Sequence, residues 1–346
     1  MLIARPLQSD NINTVGPLLA PMYQDFFSTA KDKYHWDLEP IEFTALCNAI
    51  QHQVVRGYWI EDTGEDEPLG LMLYTLEPHQ AIEINLLLIP EERDWKSAID
   101  VLMRRFLVDI QALPGWNTVS FAMLGIQNRF IRTMPWYGFK PIGQTVLKLS
   151  VSDPIAVQLF MQYPLEPLPE SYRLSSWEPS YGGDTSLAVH AAFSNASDAL
   201  WDPRFRTESG CRQVVSMMTS HQMGKFYPEA TSLLLKNDRV VGFCFCVETN
   251  AVQGNIPLIG ILPEEKGNRY GHHLLKRTVH RSLEDFMAEK NSLMSITATT
   301  DTENFPALHM YRHLGFDEGN HYPHVYLTPD TLKSSFVAKT LAKQLN

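Results

Sequence analysis

The sequence predicts a mixed α/β protein of two tandem domains, and three observations support this fold. The chain has 346 residues, too many for one ordinary hydrophobic core and suited to two domains of about 150–175 residues each. In both halves, strand-like and helix-like segments follow one another in the same order. Matching residues also recur at nearly constant spacing: Gly70 and Gly242 are 172 residues apart, Pro90 and Pro263 are 173 apart, and Gly138 and Gly315 are 177 apart. A repeat of this length indicates a duplicated domain, since solenoid repeats have periods of roughly 20–50 residues.

The first half begins with a strand and two helices, which are followed by a hairpin, a buried strand, a helix and a further strand. The apolar run at 81–89 is long enough for a central strand that is buried on both faces. The helix at 95–113 is supported by apolar residues at the 3.6-residue period, and Pro114 and Gly115 end it. The other predicted strands are 2–4, 54–61, 69–77 and 118–124, and the other helices are 12–27 and 40–53.

The second half repeats this order after a proline-rich stretch. Strands are expected at 172–177, 232–236, 240–248, 256–262 and 294–300, and helices at 185–193, 210–221, 270–290 and 306–314. Residues 151–170 contain four prolines and are typical of a semi-rigid linker. We therefore expect a first domain at 1–150, a linker at 151–170 and a second domain at 171–346.

Composition excludes several classes of function. Hydrophobic residues make up 44% of the chain and charged residues 20%, as in soluble globular proteins. No apolar run approaches the roughly 20 residues that span a bilayer, and the first residues lack the layout of a signal peptide, so we expect a cytoplasmic protein without a membrane partner. The net charge of −10 argues against a general nucleic-acid surface and permits a cationic substrate, although acidity can also serve solubility alone.

One loop in the second half has the features of an anion site. The predicted strand at 256–262 leads into Pro263 and a polar turn, and Gly267 and Gly271 flank the start of the next helix. Backbone N–H groups at a helix N-terminus are unpaired, and the helix dipole favours negative charge there. Lys266 and Arg269 add positive charge. The pattern indicates a phosphate-binding loop, with glycines that serve turn geometry alone as the alternative.

A second element follows 33 residues after Gly271. Asn304 opens a predicted helix on which Ala307, Met310, Tyr311 and Leu314 share or border one face. Gly315 suits a left-handed C-terminal cap, and Phe316 starts the next strand.

These two elements resemble those of the GNAT superfamily, the acetyl-CoA-dependent N-acetyltransferases. The resemblance rests on the run from Leu262 to Gly271 and on the pattern Asn304-x-x-Ala307-x-x-x-Tyr311-x-x-x-Gly315-Phe316. The resemblance is good over residues 172–330 and weak over residues 1–150, so the whole chain resembles a tandem GNAT protein. It implies that each domain is a mixed, mostly antiparallel sheet flanked by helices.

The resemblance also implies roles for individual residues. Backbone amides of Ile261 and Leu262 would contact the pantetheine arm of acetyl-CoA, and Asn304 and Ala307 would lie near that arm or the acetyl group. Tyr311 would be the general acid that protonates the departing thiolate, since a phenol with a pKa of about 10 can donate to it; the alternative is a packing tyrosine. The pyrophosphate would be held by Lys266, Gly267, Asn268, Arg269, Tyr270, Gly271 and His272.

The chain departs from the family pattern at two places. Arg269 stands where family loops usually carry a small residue, so either its side chain turns outward or the loop is wider than usual. The predicted strand at 256–262 has no carboxylate, which is the usual place of a general base in many members. Glu248 is therefore the expected base, with Asp301 and Glu303 as alternatives.

The first half lacks the same features. Residues 90–98 contain no glycine, and Trp95 would crowd a pyrophosphate. Met134 stands 177 residues before Tyr311 and cannot donate a proton. We expect this half to be non-catalytic, without bound CoA, and to shape the acceptor cleft.

Two further groups of residues are weaker candidates. Trp201 and Asp202 suit an amine with an apolar body, or else belong to an ordinary packed loop. The histidines 272, 273, 280, 309 and 313 have no Cys, Asp or Glu partner at a strong ligand spacing, so no metal is expected.

Together these observations predict an N-acetyltransferase that moves an acetyl group from acetyl-CoA to a primary amine by direct attack in the second domain. The acceptor is a small-molecule or peptide amine that the sequence does not identify, and the oligomeric state stays open. The alternatives are an acyl-CoA-binding protein with another acyl-transfer reaction and a non-enzymatic sensor or interaction module.

Overall fold

The computed structural model describes residues 1–36, 38, 40–64, 67–90, 94–287, 292–338 and 340. In these ranges the strands are β1 (Leu2–Pro6), β2 (Val55–Asp62), β3 (Gly70–Glu77), β4 (Ala81–Leu88), β5 (Thr118–Ala122), β6 (Lys140–Ser150), β7 (Tyr172–Ser176), β8 (Lys225–Phe226), β9 (Ser232–Lys236), β10 (Arg239–Cys244), β11 (Val247–Asn250), β12 (Gln253–Ile256), β13 (Ile259–Ile261), β14 (Ser295–Asp301) and β15 (Asp317–Leu327). The α-helices are α1 (Ile12–Tyr34), α2 (Phe43–Gln51), α3 (Trp95–Gln111), α4 (Pro154–Gln162), α5 (Gly182–Phe193), α6 (Asp198–Trp201), α7 (Glu208–Thr219), α8 (Tyr270–Met287), α9 (Phe305–His313) and α10 (Pro329–Ser334). Over the same ranges, none of the helices combines the length and the apolar character needed to cross a membrane.

The chain divides into two compact units whose bounds differ from the ranges expected from sequence. The first unit is Met1–Ile142 with Tyr322–Asn346, and the second is Gly143–His321. The last strand of each sequence half causes the difference. Residues 144–150 of β6 pair with β14 of the second unit, and residues 324–327 of β15 pair with β5 of the first. Each half of the sequence thus gives its final strand to the other unit.

The proline-rich stretch is part of the second unit and not a linker. Pro154 lies in the first turn of α4, where its missing N–H costs no helical hydrogen bond. Phe160 on α4 is fully buried in the hydrophobic core of the second unit. The prediction of a separate linker at 151–170 is therefore wrong, because proline content alone does not distinguish a linker from a helix start.

The first unit is one mixed sheet in the order β1-β2-β3-β4-β5-β15. The pair β4–β5 is parallel and the other pairs are antiparallel. Successive strand residues point to opposite faces, so Met72 and Leu87 pack in the core that includes α3, whereas Leu71 and Leu86 pack in the core that includes α1 and α2. The predicted mixed, mostly antiparallel sheet with flanking helices is confirmed.

The second unit has two sheets, in the orders β13-β10-β9-β7 and β6-β14-β12-β11-β8. The strands predicted as continuous at 240–248 and 256–262 are each broken, β10 from β11 and β12 from β13. Pro257 stands in the second break and has no N–H to continue the ladder, which gives a physical reason for it. The break leaves β13 at the edge of its sheet, and this edge positions the candidate site.

The duplication is visible in strand register. In the first unit β3 pairs with β4 so that Leu71 lies opposite Leu88 and Met72 opposite Leu87. In the second unit β10 pairs with β13 so that Phe243 lies opposite Gly260 and Cys244 opposite Ile259. Each of the four residues named from β10 and β13 lies 172 positions after its counterpart in β3 or β4. The structural repeat therefore keeps the spacing of Gly70 and Gly242.

Some predicted segments fall partly outside the described residues. These are the loop residues 91–93 of the first half, positions 65 and 66 of the turn at 62–67, and the end of the predicted helix at 270–290 beyond Met287. Within the described ranges, α1 runs on to Tyr34 although it contains Pro17 and Pro21.

Candidate active site

A cavity of about 540 Å³ lies beside the free edge of β13. Its walls come from the end of α5, the loop that precedes α8, the first turn of α8 and the first turns of α9. Most of the predicted cofactor-binding residues line it, namely Ile261, Lys266, Gly267, Arg269, Tyr270, Gly271, His272, Asn304 and Ala307. Two predicted residues do not: Leu262 packs against the hydrophobic core, and Asn268 donates a hydrogen bond to the Glu265 carbonyl at 3.2 Å.

The free edge of β13 presents backbone polar groups to this cavity. The N–H of Leu262 donates to the Val241 carbonyl, and the N–H of Phe245 donates to the Leu258 carbonyl, both at 2.9 Å. Because successive residues of a strand alternate in direction, Ile259 and Ile261 turn their N–H and C=O groups away from β10. Both residues line the cavity.

The loop before α8 is anchored by a buried carboxylate. Glu265 is 6% exposed and accepts hydrogen bonds from Lys236 Nζ at 2.7 Å and from the Tyr172 hydroxyl at 2.6 Å. These two donors lower the pKa of Glu265 below its ordinary value. These hydrogen bonds to Glu265 therefore hold the loop in place directly before its cationic residues, Lys266 and Arg269.

Backbone conformation distinguishes the glycines of the loop. Gly267 has φ of 86°, in the left-handed region that glycine adopts most easily, and an added Cβ would meet nothing within 4 Å. At Gly271 an added Cβ would lie 2.9 Å from Met310 Sδ, so this glycine allows α8 to approach α9. Arg269 also has a positive φ, 59°, and its side chain is exposed. Of the two alternatives given for this residue, the side chain that turns outward is therefore the one observed.

Asn304 and Tyr311 belong to α9, the first as its N-terminal cap and the second within the helix. Asn304 caps α9 by accepting a hydrogen bond from the Ala307 N–H at 3.3 Å, and its Nδ2 donates to Thr300 Oγ1 at 3.1 Å. Gly315 has φ of 77°, as expected for the cap after this helix. Tyr311 is 2% exposed, and burial raises its pKa above the ordinary value, so the phenol stays protonated at neutral pH.

Tyr311 lines a second cavity of about 100 Å³ that adjoins the first. The two cavities share Asp198, Ile259 and Asn304 among their lining residues. Asp301 also lines the small cavity and accepts hydrogen bonds from Gln144 Nε2 and Ser197 Oγ. Burial, together with the charges of Asp301 and Asp202, raises the pKa of Asp198 to about 6.

Four residues that the sequence suggested for catalysis or substrate binding line neither cavity: Glu248, Glu303, Trp201 and Asp202. Glu248 lies on β11, where it accepts a hydrogen bond from the Tyr227 hydroxyl and lies 3.6 Å from Lys225 Nζ. Asp202 accepts from Arg204 Nε at 2.8 Å, and Trp201 ends α6. Sequence reasoning missed Asp198 and the end of α5, because only the fold brings them beside β13.

Two of the histidines belong to an aromatic cluster. Tyr163, His272 and His313 pack together, with ring centroids 6.0 Å, 6.2 Å and 6.3 Å apart for the three pairs. Burial, with His313 and Arg269 nearby, lowers the pKa of His272 below its ordinary value. Among the residues that the structure describes, no group of three or more His, Cys, Asp or Glu side chains is arranged to hold a metal ion.

The equivalent edge in the first unit is occupied by side chains of the chain itself. The shared register equates Leu87 with Ile259 and residue 89 with Ile261. Gln127 Oε1 accepts a hydrogen bond from the Leu87 N–H at 2.8 Å, and the Arg129 guanidinium donates to the Ile89 carbonyl. A cavity of about 480 Å³ lies beside this edge, with Arg129 in its wall. Met134 is fully buried in the core.

Comparison with known proteins agrees with this geometry. Residues 198–316 match the family model described as the acetyltransferase (GNAT) family. No curated protein sequence matches the chain.

Solved structures share the fold over the whole chain at low sequence identity. A GCN5-related N-acetyltransferase from Sphaerobacter thermophilus has 16% identity and a TM-score of 0.61, with 94% of this chain and 95% of that chain covered. A tandem GNAT protein from the clavulanic acid biosynthesis pathway has 13% identity and a TM-score of 0.56, with 95% and 98% covered. A glucosamine N-acetyltransferase region of a fungal multi-domain β-N-acetylglucosaminidase has 11% identity and a TM-score of 0.57. The match covers 94% of this chain and 38% of that chain.

Proposed function

We propose that this chain, which carries a GNAT acetyltransferase domain at residues 198–316, transfers an acetyl group from acetyl-CoA to a primary amine. One observation carries the proposal. The large cavity extends from the loop that holds Lys266 and Arg269 to the free edge of β13, and the adjoining small cavity is lined by Tyr311. Donor binding, carbonyl polarisation and proton donation can therefore take place in one continuous space.

The residues of the large cavity fit acetyl-CoA as the acyl donor. The N–H groups of the loop and of the first turn of α8 suit the pyrophosphate, with Lys266 and Arg269 as exposed cations beside it. The C=O of Ile259 and the N–H and C=O of Ile261 suit the amides of the pantetheine arm, which can pair with a free strand edge as an added strand does.

The reaction follows from the groups that face the cavities. The nitrogen of a neutral amine attacks the thioester carbon, and the N–H of Ile259 polarises the carbonyl. The carbon–sulfur bond breaks, and the Tyr311 phenol gives its proton to the departing thiolate. Burial keeps the Tyr311 phenol protonated until the thiolate forms, and it also makes the phenol a weaker acid than an ordinary tyrosine.

The first unit plays no part in donor binding in this proposal. At the positions that match Ile259 and Ile261, the Leu87 N–H is bonded to Gln127 and the Ile89 carbonyl to Arg129, so a pantetheine chain would have to displace these side chains. The first unit then serves as the structural partner of the catalytic unit.

Release of free thiol from acetyl-CoA over a panel of amines tests the function. We expect release that depends on both the protein and an amine, and a product heavier by one acetyl group. A thermal-shift titration with acetyl-CoA runs beside it, because a ligand that binds the folded state raises the melting temperature. Stabilisation without thiol release would favour a sensor or interaction role, and no stabilisation would contradict every CoA-based function.

A further inference from the structure

The small cavity has the charge and position of an acceptor site. It carries the carboxylates of Asp198 and Asp301, and no Lys, Arg or His is found among its described lining residues. Its wall also includes Tyr311 and Ile259, the two groups placed at the thioester in the proposed reaction. An amine that enters from this side reaches the thioester without crossing the donor loop.

Asp301 is fixed by two donors on different elements. Gln144 on β6 donates to one carboxylate oxygen, and Ser197 donates to the other. Both oxygens thus have a partner, so the carboxylate is held in one orientation. Ser197 directly precedes Asp198, and its bond to Asp301 also fixes the position of Asp198 at the start of α6.

Asp198 is the carboxylate whose environment suits proton exchange. It lines both cavities, so it lies where acceptor and donor meet. Burial and the negative charges of Asp301 and Asp202 raise its pKa to about 6, which leaves it ionised at neutral pH and ready to accept a proton.

We propose that the small cavity receives the ammonium group of the acceptor, that Asp198 takes its proton, and that Asp301 is a positioning residue which Gln144 and Ser197 hold in place. This inference rests on the proposed acetyl transfer. One proton passes from nitrogen to Asp198, and the freed lone pair attacks the thioester carbon. Tyr311 protonates the departing thiolate, and the second proton that nitrogen loses as the amide forms restores the phenol. Asp198 then releases its proton to solvent, so an ammonium and acetyl-CoA give an amide, a thiol and one proton.

The same charges define the class of acceptor. A carboxylate bonded to the carbon next to the reacting nitrogen would enter beside Asp198 and Asp301, and like charges so placed repel strongly. The acceptor is therefore an amine without an adjacent carboxylate, and not an α-amino acid.

Substitution of Asp198 tests the proton transfer. Asp198→Asn keeps the size of the side chain and should lower kcat by at least about 100-fold, the usual contribution of a general base. The KM for acetyl-CoA should stay within about twofold. The rise of the wild-type rate near pH 6 should vanish in this variant. Asp184→Asn makes the same charge change at an exposed position of α5 and should leave rate and pH profile unchanged.

Asp301→Asn distinguishes a positioning role of Asp301 from a role in folding alone. Removal of this negative charge should lower the pKa of Asp198, so the rise of the rate should move to lower pH, an effect that loss of packing alone does not produce. An unshifted profile in Asp301→Asn, or an unchanged kcat in Asp198→Asn, would overturn the assignment.

Matched amines test the acceptor class. Butylamine and norvaline, isobutylamine and valine, and tyramine and tyrosine differ within each pair by one carboxylate. In every pair that reacts, kcat/KM should be at least about tenfold higher for the amine without the carboxylate. Preference for the amino acids would overturn the acceptor class. Absence of thiol release with these six compounds and with peptide amines would instead contradict the proposed acetyl transfer itself.

Discussion

Gln127 Oε1 accepts a hydrogen bond from the backbone N–H of Leu87 at 2.8 Å. Leu87 is the register counterpart of Ile259, whose N–H faces the open cavity of the second unit. The neighbouring carbonyl of Ile89 accepts from Arg129. The first copy of the domain has therefore kept the strand and closed the edge that the second copy leaves free.

This difference predicts the stoichiometry of donor binding. A calorimetric titration with acetyl-CoA should give one site per chain, because Gln127 and Arg129 already bond the N–H of Leu87 and the carbonyl of Ile89 at the matching edge of the first unit. Two sites of similar affinity would contradict the asymmetric role of the two units.

Tyr311→Phe should lower kcat by about 100-fold or more, since it removes one proton donor and keeps the buried ring. The ring packs against Phe316 with centroids 5.1 Å apart, and phenylalanine preserves this contact. The Kd for acetyl-CoA should change by less than about twofold, because the lost group acts at the departing thiolate. Steady-state kinetics with a parallel calorimetric titration measures both quantities, and an unchanged kcat would show that Tyr311 is a packing residue.

Gly267→Ala should destabilise the protein by about 1–2 kcal/mol and weaken acetyl-CoA binding several-fold. The φ of 86° is costly for any residue with a Cβ, although the space around the new methyl is open. Denaturant unfolding measures the first effect. Gly183→Ala is the matched control, since Gly183 lies within α5, has nothing within 4 Å of an added Cβ and lacks a positive φ. It should stabilise the protein by about 0.5–1 kcal/mol, and equal effects of the two changes would contradict the assigned loop conformation.

Asp198→Asn should stabilise the protein at neutral pH while it lowers activity. The folded state raises the pKa of Asp198 to about 6, so it binds this proton more tightly than the unfolded chain does. The folded state therefore loses stability as the pH rises from about 4 to 6, and at pH 7 the ionised carboxylate costs about 3 kcal/mol. Asparagine removes this cost. Thermal unfolding at pH 4 and pH 7 checks the sign: the gain should appear at pH 7 and be absent at pH 4.

The sequence predicted the parts of the site that depend on local pattern. Gly315 has the left-handed backbone that its capping position implied, and Asn304 caps the helix it was expected to open. Spacing alone placed these residues because turns and caps are decided by a few neighbours along the chain.

Long-range pairing decided what the sequence could not predict. Gln144 reaches Asp301 because β6 pairs with β14, although 157 positions separate the two residues. The predicted boundary at 150 would have assigned Gln144 to the other domain. Asp198 lies four residues before Asp202, which the sequence suggested for substrate binding, and only the fold shows which of these two carboxylates lines the cavities.

The central claim is that the second unit holds the acyl donor along the free edge of β13. A crystal structure with acetyl-CoA tests it most directly. We expect density for one donor molecule per chain, with its pantetheine arm beside Ile259 and Ile261 and its pyrophosphate at residues 266–271. Density beside Leu87 in the first unit, or at neither edge when the donor is saturating, would contradict it.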